Sequence, residues 1–136
     1  MLTVAQTQLR NARTNGSGRS AATVYKSARL SHTIVALVAG TELSEHENPG
    51  EATVQVLLGR IELVSGDDVW ECRSGNLIVV PQKRHSVRAL DDSALKSSVC
   101  SPAICAPVRA WPCLELSAAN CRVFSAFSWS VFRAWL

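Results

Sequence analysis

Of the three histidines in this 136-residue chain, two sit in segments of similar design. His46 follows Gly40 through a short run that closes on Asn48, Pro49 and Gly50. His85 follows Gly75 through an apolar run that closes on Pro81. An imidazole binds transition metals through a ring nitrogen and exchanges protons near neutral pH. Two imidazoles brought together can therefore hold a metal ion or anchor an organic ligand. Apart, each is an ordinary turn histidine, His46 between Glu45 and Glu47 and His85 after Lys83 and Arg84. The third, His32, precedes an apolar segment and reads as a structural residue.

Convergence requires elements that carry both segments to one place. Between them, residues 52–58 alternate, with Val54, Val56 and Leu58 on one face and Thr53, Gln55 and Leu57 on the other. Further strand-like runs cover residues 22–25, 33–38, 60–65, 68–71, 76–80 and 86–90, separated by Gly59, Gly66 and Gly75. Short strands at this spacing, with no helices between them, predict an antiparallel sandwich or barrel. Only a sheet that closes on itself can make imidazoles from separate strands meet. Upstream, Leu2, Ala5, Leu9 and Ala12 recur at helical spacing until Asn15, Gly16 and Gly18 break it. Tyr25 and Trp70 are the aromatics of this part and are expected in the core.

A length of 136 residues suits one domain with a self-sufficient core. Residues 1–95 hold ten Lys or Arg against ten Asp or Glu, so no basic stripe points to nucleic acid. The N-terminus lacks the basic and apolar regions of a secretory leader, and the five cysteines are odd in number with no Cys-x-x-Cys pair. Both features predict reduced thiols and a cytoplasmic location. After Leu95 the character changes: six of the eight aromatics and four of the five cysteines follow it, with Pro102, Pro107 and Pro112 interspersed. Residues 122–136 place Phe124, Phe127, Val131 and Trp135 at helical spacing, a short amphipathic helix that is too short to span a membrane.

At the two histidine segments the sequence resembles the cupin superfamily, specifically its small single-domain bacterial members, over about residues 1–95. The first family motif runs from a glycine to a His-x-His pair, then a glutamate and a closing glycine. Here Gly40, His46 and Gly59 keep that pattern, Asn48 replaces the second histidine, and Ala52 stands at the glutamate position. In the second motif Gly75 and Pro81 match, Lys83 replaces a glycine, and the histidine arrives one residue early as His85. The string GEATVQVLLGRIELVSGDDVWECRSGNLIVVP (residues 50–81), with RHSVRALDDSA (residues 84–94), carries the rest of the likeness. Small cupins typically continue from there as an apolar strand, whereas residues 95–99 bring in Lys96, Ser97 and Ser98.

The resemblance implies an all-β fold: a small jelly-roll barrel over residues 20–99, preceded by a helix and linker (1–19) and followed by an irregular extension (100–136). It implies a divalent transition metal (iron, manganese, nickel or zinc) held by His46 and His85, with Asn48, Glu51 and Gln55 as ligand-binding neighbours. It further implies a homodimer with a small-molecule ligand. Three functions follow: a small-molecule binding protein, a metal-dependent oxygenase or isomerase, or a sensor module working with a separate transcription regulator. No direct contact with nucleic acid and no membrane span are expected.

Overall fold

The helical pattern gives way to an alternating one at residues 15–18, and there the first element ends. The computed structural model describes residues 1–48 and 50–100, with the backbone of Val123 and Phe124. Helix α1 (Leu2–Thr14) buries Ala5, Leu9 and Ala12 of the stripe that its sequence spacing predicts, while Leu2 at its start is 56% exposed. Among the described residues ten strands follow: β1 (Arg19–Lys26), β2 (Leu30–Leu37), β3 (Glu42–His46), β4 (Ala52–Leu58), β5 (Arg60–Ser65), β6 (Asp68–Arg73), β7 (Leu77–Val79), β8 (His85–Ala89), β9 (Ser93–Cys100) and β10 (Val123–Phe124). They form two antiparallel sheets, ordered β1-β2-β9-β4-β7-β10 and β3-β8-β5-β6.

Two apolar layers hold these elements together. The main core lies between the sheets and gathers Leu37, Val54, Val56, Ile61, Leu63 and Ile78 among others. A second layer, built from Ala5, Leu9, Ala12, Ile34, Ala36 and Ala94, seals α1 onto the outer face of the six-stranded sheet. Strands of that sheet are thus covered on both sides over part of their length, which is why neither face of β4 reads as polar. One detail departs from the alternation. Leu58 packs in the helix-side layer with Leu57, not with Val54 and Val56, because a register shift between Val56 and Leu58 turns it over.

Strand β9 pairs along its length with β2 and also with β4. Lys96 and Ser98 do not interrupt it. Leu95 and Val99 face the inter-sheet core, and strand alternation sends Lys96 and Ser98 the other way. Strand β3 falls where the sequence reads mainly as a turn, and its burial is too slight to leave an apolar signature. Trp70 packs against the core as expected, but Tyr25 is 51% exposed on an edge strand beside His32. The amphipathic helix expected over residues 122–136 lies outside the described residues, apart from Val123 and Phe124, which pair with β7 as a strand. Among the described residues no helix is long and apolar enough to cross a membrane.

Candidate functional site

His46 and His85 meet. They are paired across β3 and β8, adjacent strands of the four-stranded sheet, so their meeting does not need the closed sheet that the sequence suggests. The ring centroids are 4.5 Å apart and the ring planes inclined by 58°. On β8, His85 has the same strand parity as Val87 and Ala89, both members of the inter-sheet core, so its ring enters the barrel. It is only 3% exposed. His46 lies at the mouth above it and is exposed.

A β-bulge produces the pairing. Leu43 opposes Val87 and His46 opposes His85, so three residues are spent on β3 where β8 spends two. Were these three steps regular strand with no bulge, His46 would have the opposite parity to Leu43 and face outward. The bulge re-aims it onto the same face as His85. Each ring is then held by its own backbone: His46 Nδ1 lies 2.9 Å from the Ser44 carbonyl, and His85 Nδ1 lies 2.9 Å from the Lys83 carbonyl. A carbonyl oxygen only accepts, so in both neutral rings the proton sits on Nδ1 and the lone pair on Nε2. Two acceptor nitrogens are thereby presented by fixed rings.

Burial pushes the His85 pKa below its ordinary value. The Lys83 carbonyl works in the opposite direction, and a charge on His46 would lower it further. Burial thus favours the neutral form of His85. Beside it, the buried Ser65 donates its hydroxyl to the Arg84 carbonyl at 3.0 Å. An open groove of about 480 Å³ runs along this end of the four-stranded sheet, lined by Glu45, Ser65, Asp67, Asp68, Lys83 and Arg84. Arg84 and Glu45 pair there at 3.4 Å, both more than half exposed, a contact of little energetic weight.

The other predicted neighbours are placed differently. Ala52, 3% exposed, is on the inward face of β4, so an apolar methyl occupies the glutamate position of the family pattern. Gln55 has the parity of Leu57, which packs in the helix-side layer, and lies on the opposite face from Ala52, Val54 and Val56. Glu51 is exposed, and its carbonyl accepts the Cys100 N–H at 2.7 Å. Asn48 is half-buried in the loop after β3. His32 lies elsewhere, 2.7 Å through Nδ1 from the Ser98 hydroxyl on the sheet's helix-side face. Ser65 was not singled out by sequence, although a serine at an inward strand position after Ile61 and Leu63 is a signal of a specific partner.

The donor set falls short of a resident metal centre. Catalytic zinc takes three protein ligands and structural zinc four, and iron or manganese sites add carboxylates. Among the described residues no group of three or more His, Cys, Asp or Glu is arranged to hold a metal ion.

No family model and no curated protein matches the chain. Solved structures do. A conserved protein of unknown function from Streptococcus pyogenes superposes with a TM-score of 0.60 at 25% identity, covering 65% of this chain and 78% of that one. An RmlC-like cupin from Desulfovibrio desulfuricans gives a TM-score of 0.56 at 29% identity, covering 60% and 81%. A salicylate 1,2-dioxygenase from Pseudaminobacter salicylatoxidans gives 0.63 at 18% identity, covering 71% of this chain and 33% of that one, a likeness of fold alone.

Proposed function

We propose, from the premise that this chain carries a cupin domain, that it binds a small molecule at the mouth of its barrel without a resident metal. The carrying observation is the imidazole pair, with both Nδ1 protons committed to backbone carbonyls and both Nε2 lone pairs left to accept. The matching ligand presents hydroxyl or N–H donors to those nitrogens. Asn48 and Glu51, between β3 and β4, are the candidates for contacts at its rim. Gln55 is left out because of the strand face it occupies.

The test is a screen of small polyols, phenols and hydroxy acids against the purified protein by amide and imidazole NMR, in the presence of EDTA. Binding that survives the chelator and is lost in His46→Ala and His85→Ala supports the reading. Stoichiometric iron, manganese, nickel or zinc in the purified protein, removed by the same substitutions, would overturn it in favour of a metal-dependent enzyme.

A further inference from the structure

Strand β5 sends Ile61, Leu63 and Ser65 into the barrel, and the third of these is out of character. Ile61 and Leu63 are fully buried apolar residues, whereas Ser65, 5% exposed, buries a hydroxyl at a place where a third aliphatic side chain would continue the core. A buried hydroxyl is costly unless it is hydrogen-bonded. The partner it has is specific. The β5–β8 ladder ends with Val64 opposite Ser86, so the chain before Ser86 runs beyond the last rung. There the Arg84 carbonyl receives the Ser65 hydroxyl at 3.0 Å. One residue earlier, the Lys83 carbonyl receives the His85 ring proton at 2.9 Å.

We propose that Ser65 is a positioning residue of the imidazole pair: its side chain supplies the rung that the ladder lacks and so fixes the backbone whose carbonyl orients His85. The inference rests on the reading that His85 anchors a ligand through Nε2, and it adds the residue that makes that nitrogen available. Ser65 itself need not touch the ligand. It acts through residues 83–85, the only stretch of β8 side backbone that its hydroxyl reaches among the described bonds.

The experiment compares wild type with Ser65→Ala, Ser65→Val and Ser65→Thr by long-range ¹H–¹⁵N spectroscopy of the imidazoles at pH 7.5, with melting temperature measured alongside. In wild type the His85 ring nitrogens should be widely split, Nδ1 protonated and Nε2 bare. Ser65→Ala and Ser65→Val should shrink that splitting as the ring exchanges tautomers, leaving the His32 signals in place. Ser65→Thr, which keeps the hydroxyl, should restore it. An unchanged His85 splitting in Ser65→Ala, whether or not the melting temperature drops, would overturn the proposal and leave Ser65 a packing residue. Should Ser65→Ala not fold, an unchanged splitting in Ser65→Thr combined with a collapsed one in Ser65→Cys, a weak donor, still supports it, and equal splittings in both count against it. These spectra need no ligand, so failure of the binding screen and failure of the positioning role are read separately.

Discussion

The two ends of the four-stranded sheet are built on different principles. At the Arg60 end several polar groups are tied more than once. Ser93, fully buried, lies 2.8 Å from the Arg60 carbonyl and 2.7 Å from that of Asp91, and the Arg60 side chain grips the Asp91 carboxylate with two nitrogens. Asp92 accepts the Ala39 N–H and the Arg13 side chain, which together hold its carboxyl below the usual range. Gly59 passes so close to Asp92 and Ser93 that a Cβ would fall 2.5 Å from a carbonyl oxygen. At the His85 end there is one bulge, one serine hydroxyl and two imidazoles, the inner one buried with its neutral form favoured. Redundant bonding fixes one end, and single bonds leave the other adjustable. Binding sites are commonly built at the less constrained end of such a scaffold.

Substitutions sharpen this contrast when stability and imidazole spectra are followed together. Gly59→Val should be the most damaging. It forces a branched side chain into a backbone at φ +76° and into contact with Ser93 and Asp92, and should cost on the order of 3 kcal/mol or more in urea unfolding. A loss below about 1 kcal/mol would show that end to be far softer than described. Ser93→Ala should follow, at about 1–3 kcal/mol, because it strips a buried donor from two carbonyls. Neither change should disturb the His46 and His85 signals, and a disturbance would erase the distinction between the ends.

His85→Leu should do the opposite. It exchanges a buried polar ring for an aliphatic side chain of similar reach, so stability should stay within about 1 kcal/mol or rise while ligand binding disappears. A drop of several kcal/mol would mean that the pair is structural. The smallest effect is that of pH. Because the folded-state pKa of His85 lies below the unfolded value of about 6.5, the unfolded chain takes up its proton first as pH falls. Stability due to this residue is therefore full above about pH 6.5 and declines as pH drops from there toward the folded pKa. His85→Leu should flatten that part of the pH–stability curve. An equally steep decline in the variant assigns the dependence to other groups.

Much of this architecture is written in local pattern. The stripe Ala5, Leu9, Ala12 gives α1, and the runs at residues 52–58 and 60–65 match β4 and β5 residue for residue. The two histidines that meet stand out in their glycine-led segments. What sequence does not reveal is parity across irregularities. The Leu43–His46 interval looks like an odd step that separates two faces, and only the pairing with β8 shows that a bulge absorbs it. The same blindness turned Leu58 over on β4. Ser65 is hidden for a different reason: its partner is a backbone carbonyl, and carbonyls leave no trace in residue identity.

The bulge in β3 has a consequence for how such a protein can drift. Losing a single codon at Ser44 or Glu45 would let the strand run straight and still leave His46 facing His85, since two residues would then oppose two. It would, however, remove or displace the Ser44 carbonyl that selects which nitrogen of His46 is bare. Chain length in β3 thus works as a dial on proton placement, one that an indel can turn while both imidazoles are kept.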